Sequence, residues 1–232
     1  MEEALSAAYR EMNIQWREDH PRMEEDHFLP ERHRAENVII KGYVEHILLL
    51  DQEDAKVGLQ IYLLEQERYF PIDIEDIGTV NTGGKIDRLD IYGPEGNERL
   101  RIVDYKTGGY NDKTHQEKMT AQWEELMFEP NKSYMRQTMI YSHAVMKADK
   151  TGLPIEPNLF FCRRKVTEVE TTIDVANETV RDYRRIADTF YEGLKAKVKE
   201  VMTAIDFPQC EEKKCPKYCA FFQLCGRKPK EF

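Results

Sequence analysis

Hydrophobic positions change period several times along this chain. Val38, Ile39, Tyr43, Ile47 and Leu50 recur every three or four residues, which predicts an amphipathic helix over 36–51. Upstream, a shorter helix around 5–16 is followed by a loop broken at Pro21 and Pro30. The period then falls. Residues 59–65, 84–92 and 99–105 are short runs rich in Ile, Val, Leu and Tyr, separated by Gly83-Gly84 and Gly93-Pro94-Glu95-Gly96. They predict consecutive strands of an antiparallel meander. Helical spacing returns over 116–128 and 133–147, on either side of Pro130. Residues 158–164 and 169–175 predict two more strands, and 178–202 a long helix. The expected fold class is therefore α/β (α+β), a mixed central sheet flanked by helices. It is expected to divide into a helical segment over 1–55, a core over 56–205 and a cysteine-rich tail over 206–232.

Composition narrows the class. A chain of 232 residues can bury roughly 70–75% of its unfolded surface in one core, so it needs no disulfide staples. Its apolar runs all fall short of the ~18–20 residues that a membrane span requires. The start, Met1-Glu2-Glu3, is acidic where a signal peptide is basic. Both features lead us to expect a cytoplasmic protein without membrane contact. The five cysteines then sit in a reducing compartment, where metal ligation is the first alternative to a disulfide. A net charge of −9 argues against binding nucleic acid through the overall field, yet it leaves room for a local basic groove. Position matters here, because residues 1–36 alone carry a net −5.

The densest chemistry lies in Gly83-Gly84-Lys85-Ile86-Asp87-Arg88-Leu89-Asp90 and Ile102-Val103-Asp104-Tyr105-Lys106-Thr107-Gly108. On a strand, Asp104 and Lys106 share one face while Val103 and Tyr105 take the other, and Asp87 can lie across the hairpin from them. Two acids beside a lysine invite a divalent cation with oxygen ligands, and such a site suits phosphodiester hydrolysis. A lone Asp-x-Lys is most often solvated charge. Here the neighbours Ile86, Leu89, Ile102 and Val103 are apolar, which draws the acids toward a buried surface.

These two stretches resemble the PD-(D/E)xK nucleases of the RecB type, including the nuclease domains of RecB and AddB helicase–nucleases and CRISPR-associated exonucleases. Gln137 and Tyr141, four residues apart on a predicted helix, are similar to that family's Gln-x-x-x-Tyr motif. The resemblance implies a restriction-endonuclease-like fold and a DNA nuclease, an exonuclease of repair or end processing, using Mg²⁺ or Mn²⁺. It implies Asp87 and Asp104 as metal ligands, Lys106 as the catalytic lysine, and Gln137 and Tyr141 as active-site groups. Glu65 stands where members often carry another acid. His46, four residues after Gly42, is the nearest match to the family's helical metal-binding histidine, although the Leu-Glu that usually follows is replaced by Leu49-Leu50-Asp51. A helicase, as a separate subunit or as upstream sequence of the same polypeptide, is the implied protein partner. The alternative is a catalytically inactive nuclease-fold module that binds DNA or scaffolds a helicase.

Four cysteines, Cys210, Cys215, Cys219 and Cys225, form C-x4-C-x3-C-x5-C near the C-terminus. Four clustered thiolates suit tetrahedral zinc or an iron–sulfur cluster, and spacing alone does not choose. Resemblance to the C-terminal cysteine motif of AddB-type nucleases implies a 4Fe-4S cluster, with Zn²⁺ as the alternative. Cys162, beside Phe160 and Phe161, reads as a small buried core residue. The tail is locally basic and, with Arg163-Arg164-Lys165, could line a phosphate track.

Overall fold

The computed structural model describes residues 2–21, 33–108, 119–163, 171–206 and 224–226. Cys210, Cys215 and Cys219 lie outside them. Helices α1 (Glu2–Asp19) and α2 (Arg34–Ala55) precede three antiparallel strands, β1 (Gln60–Ile74), β2 (Gly78–Tyr92) and β3 (Arg99–Lys106). The short strand β4 (Thr120–Ala121) leads into α3 (Trp123–Phe128), a 3-10 turn at Pro130–Lys132 and α4 (Ser133–Ala148). Strand β5 (Ile155–Phe161) follows, then β6 (Asp174–Val175), β7 (Glu178–Thr179), a 3-10 turn at Tyr183–Arg185 and α5 (Ala187–Thr203). The main sheet has the order β1-β2-β3-β5, with β5 parallel to β3. Helix α4 covers one face and contacts all four strands. Helix α2 covers the other, through Tyr43, Ile47 and Leu50 against Val103, Phe160 and Cys162. The architecture is thus the expected mixed sheet flanked by helices. No helix among the described residues is long and apolar enough to cross a membrane.

Several boundaries differ from the sequence reading. Gly83-Gly84 is not a turn but lies inside β2, and the hairpin turns instead at Glu75–Ile77, with Asp76 at φ 67°. These glycines serve close approach. A Cβ on Gly83 would lie 2.1 Å from the Arg68 carbonyl oxygen, and one on Gly84 3.0 Å from the Tyr141 ring. Strand β1 accordingly runs on to Ile74, burying Phe70, Ile72 and Ile74 by strict alternation. The predicted strand over 158–164 begins earlier, at Ile155, and among the described residues 171–175 a strand forms at Asp174–Val175, after a bridge at Thr172. The closing helix starts at Ala187 rather than 178. Ala176 and Asn177, both at positive φ, turn β6 into β7, and Asp182 then accepts from the Arg184 backbone N–H to open the 3-10 turn.

One irregularity positions the site. Ile86 and Leu89 both enter the main core although they are three residues apart, so β2 changes its inside–outside phase between them. The change falls at Asp87. Opposite it, between the pairs Leu64↔Arg88 and Gln66↔Ile86, Glu65 adopts φ 53°. Beyond this point Arg88 and Asp90 face α2, where Arg88 meets Asp51, while Leu89 faces the α4 side.

Candidate active site

Strand β3 carries Asp104 and Lys106 on the face that α4 covers, as strand alternation requires. Ladder pairing between β2 and β3 ends at Arg88↔Val103, one step before Asp87 would oppose Asp104. There the strands part, and the Tyr105 backbone N–H donates to Asp87 Oδ2 at 2.8 Å, fixing that carboxylate beside the second acid. Asp104 is 2% exposed, and its Oδ2 lies 2.6 Å from Lys106 Nζ. The contact is a short, buried ion pair. Burial pushes the Asp104 carboxyl up to about 6; Lys106 opposes the shift, the Asp87 charge adds to it, and the Thr138 hydroxyl eases it.

Helix α4 supplies the other wall. Gln137 Oε1 accepts from Lys106 Nζ at 2.9 Å, and Gln137 Nε2 donates to the Tyr141 hydroxyl at 2.7 Å. The i, i+4 spacing puts both on the face turned to the lysine. Tyr141 in turn packs on Gly84, which leaves room for its ring. Sequence reasoning missed two members of this wall. Thr138 is fully buried against Asp104, and the Tyr134 ring lies 4.6 Å from Lys106 Nζ. Their signal was available, since Tyr134, Gln137, Thr138 and Tyr141 stand at i, i+3, i+4 and i+7, the positions of one helix face.

The remaining predicted residues fall elsewhere. Glu65 is exposed and pairs with Lys85 at 2.6 Å. His46 is buried on α2, edge-on to Phe160, with Nδ1 3.2 Å from the Cys162 carbonyl oxygen. If Nδ1 carries the proton it donates to that carbonyl, which leaves Nε2 as a lone pair, and Nε2 has no partner among the described residues. The Cys162 backbone N–H bonds to the Lys106 carbonyl oxygen at 3.0 Å, so His46 sits one residue from the end of the catalytic strand's ladder. Cys162 is a buried, free thiol raised to about 11 by burial, as a core residue should be. Of the cysteine set, Cys225 alone is described, and it is half-buried. Arg163 donates to the Tyr43 hydroxyl at 2.7 Å, while Arg164 and Lys165 lie outside the described residues.

Among the described residues no three His, Cys, Asp or Glu side chains converge as a ready metal-binding group. The donor set nevertheless fits Mg²⁺ or Mn²⁺. Mg²⁺ commonly takes only one or two protein carboxylates, with water and substrate phosphate completing its shell. Asp87 and Asp104 are such a pair, and the Asp104 carboxyl, raised to about 6 by burial and by the Asp87 charge, is the kind of group whose charge a hard cation would stabilise. A carboxylate pair, a lysine held by a helix and a splayed strand end are together an arrangement chemically suited to phosphodiester hydrolysis. Comparison with curated proteins finds no match. The family model described as the PD-(D/E)XK nuclease superfamily matches residues 1–226, and the chain belongs to that superfamily.

Proposed function

We propose that this chain is a divalent-metal-dependent DNA nuclease, an exonuclease that hydrolyses phosphodiester bonds during repair, recombination or end processing. The observation that carries the reading is the linked unit in which Lys106 Nζ contacts Asp104 at 2.6 Å and Gln137 at 2.9 Å, beside Asp87. Asp87 and Asp104 would hold Mg²⁺ or Mn²⁺; His46, the histidine that the resemblance offers as a ligand, does not converge with them among the described residues. When bound, the ion polarises a phosphoryl oxygen and lowers the pKa of water.

The chain's own groups do the rest. Asp87 is locked by the Tyr105 N–H and so presents its remaining lone pairs in a fixed direction. Lys106, held by Gln137, orients the attacking water and offsets the charge that develops on the phosphoryl oxygens. Tyr141 fixes the Gln137 amide and therefore the lysine rotamer. The Tyr134 ring screens one side of the ammonium from solvent.

Lys106→Ala tests the reading. The variant should keep the wild-type circular dichroism and melting behaviour, yet lose Mg²⁺-dependent cleavage of end-labelled linear DNA by about 10²–10³-fold. Undiminished cleavage would refute it. Closed circular DNA should resist both proteins if the enzyme works from ends. The resemblance makes a helicase the expected partner, and we assign Cys210, Cys215, Cys219 and Cys225 to a 4Fe-4S cluster. Anaerobically purified protein should then absorb broadly near about 400 nm, whereas a colourless protein with stoichiometric Zn²⁺ would reverse the assignment.

A further inference from the structure

Asp104 already has a cation beside it. Lys106 Nζ stands 2.6 Å from Asp104 Oδ2, and both side chains are withdrawn from solvent, the lysine 13% and the carboxylate 3% exposed. An ammonium has three N–H groups and no lone pair, so the acceptors around it set its position. Among the described residues three surround this one. Besides the Asp104 carboxylate they are Gln137 Oε1, which accepts at 2.9 Å, and the Tyr134 ring, whose centroid lies 4.6 Å away. Both are fixed in place. The Gln137 amide donates to the Tyr141 hydroxyl at 2.7 Å, and the Tyr134 ring lies between Phe161, 6.4 Å off between centroids, and Gly108, where an added Cβ would meet its hydroxyl at 3.7 Å. Lys106 thus has two sets of neighbours, a carboxylate on β3 and an uncharged pair on α4.

Loading of a divalent cation separates the two sets, on the reading above that Asp87 and Asp104 are its ligands. One buried carboxylate cannot serve an ammonium at 2.6 Å and a divalent ion at full strength together, because two cations at short range in a poorly screened site repel strongly. Lys106 must therefore leave Asp104 or weaken the metal. Gln137 and Tyr134 give it a place to go. Neither carries a charge, so they favour an ammonium without competing for the metal, and a separation of 4.6 Å leaves the cation–π contact room to shorten. A contact shifts such an equilibrium only by differing between its two ends. The Tyr134 contact differs, since Asp104 balances the ammonium at one end and the ring and amide hold it alone at the other. The N–H released from Asp104 is then the one that can turn to substrate.

We propose that Lys106 is an internal counter-ion that competes with the divalent metal for Asp104, and that Tyr134 is a positioning residue which, with Gln137, forms the berth that receives the lysine when Asp104 turns to the metal. Calorimetric titration of the full chain with Mn²⁺ alone, without DNA, tests it, and the heat lost in Asp104→Asn identifies this site. Lys106→Met should bind Mn²⁺ about 10–100-fold more tightly than the wild type, the equivalent of one charge-assisted contact that no longer has to be broken. Tyr134→Leu should weaken binding about three- to tenfold, and Tyr134→Phe, which keeps the ring, should restore it. In the Lys106→Met background Tyr134→Leu should have no effect. Melting curves identify any variant that fails to fold, and Lys106→Gln, which removes the charge but leaves Asp104 a donor, serves if Lys106→Met does not fold. Equal or weaker Mn²⁺ binding in a folded Lys106 variant overturns the competition while leaving the metal site standing. A Tyr134→Leu effect of the same size with and without Lys106 overturns the berth. Absence of Mn²⁺ binding at millimolar concentration, or binding that Asp104→Asn leaves intact, refutes the metal site itself and the proposal with it.

Discussion

His143 should make this protein lose stability in mild acid. It lies on α4, 2% exposed, with Phe70 at 4.5 Å between ring centroids and Tyr191 stacked at 5.0 Å. Nδ1 is 3.0 Å from the Tyr183 hydroxyl, while Nε2 has no partner among the described residues, so an added proton meets no acceptor. Burial, reinforced by the Lys147 charge and partly opposed by Asp188, lowers its pKa from the ordinary 6.5 to about 4. Above 6.5 neither state holds the proton and the group contributes nothing to pH dependence. Between 6.5 and 4 the unfolded chain binds a proton that the folded one refuses, so stability falls as pH falls. The full shift corresponds to about 3 kcal/mol, of which about 2–3 kcal/mol is lost by pH 4.5. Asp104 acts in the opposite sense. Its raised pKa, about 6, favours the folded state below the ordinary 3.8, and that contribution disappears as pH rises through 6. The two slopes therefore offset each other in the wild type. His143→Asn separates them, since it keeps a polar atom near Tyr183 but cannot titrate. Urea denaturation of both proteins at pH 7, 6, 5 and 4.5 should show the variant less stable at pH 7, from lost contact with Phe70 and Tyr191. The gap should then narrow by about 2–3 kcal/mol at pH 4.5. Parallel stability curves would refute the assignment of a neutral, buried His143.

Three further outcomes follow from other contacts. Arg101→Met leaves the fully buried Asp90 with Arg88 as its one remaining partner, and should cost about 3 kcal/mol, read as a fall in Tm of about 6–12 °C. Gly83→Ala places a Cβ 2.1 Å from a backbone oxygen of β1 and should destabilise by about 1–3 kcal/mol in chemical denaturation. Gln137→Leu keeps the helix but releases Lys106 and Tyr141, and should lower kcat about 10–100-fold with little change in KM for DNA, because Gln137 positions a group rather than binding substrate.

Much of this arrangement was legible because it rests on period. Alternation along 99–106 places Asp104 with Lys106 whatever the rest of the fold does, and the i, i+4 spacing does the same for Gln137 and Tyr141. What escaped was structure that depends on a partner. Helix α2 seemed to end at Asp51 because a carboxylate there looks like solvent exposure. It continues to Ala55 because Arg88 and Arg101 draw Asp51 and Asp54 inward at 2.8 Å each. Val38 and Ile39, expected on the buried stripe, are exposed, while His46 joins Tyr43, Ile47 and Leu50 on the inner face. The pair Gly83-Gly84 has the composition of a turn, and only the passage of β1 and Tyr141 shows why glycine stands there.

The two buried aspartates show most directly why spacing cannot assign roles. Asp90 and Asp104 each directly follow an apolar residue, Leu89 and Val103, and each is nearly or wholly withdrawn from water. Asp90 accepts from two arginines, with contacts at 2.9 Å from Arg88 and at 2.9 and 3.2 Å from Arg101, so both of its oxygens are satisfied. Nothing further is needed there, and the group acts to lock β2 and β3 under α2. Asp104 meets one ammonium, that of Lys106 at 2.6 Å, where Asp90 meets two guanidiniums, and burial leaves its carboxyl raised to about 6. That carboxylate lies where the strands part, with Asp87 beside it, a placement that would suit a hard cation under the proposed reading and that Asp90, held by two arginines, does not share.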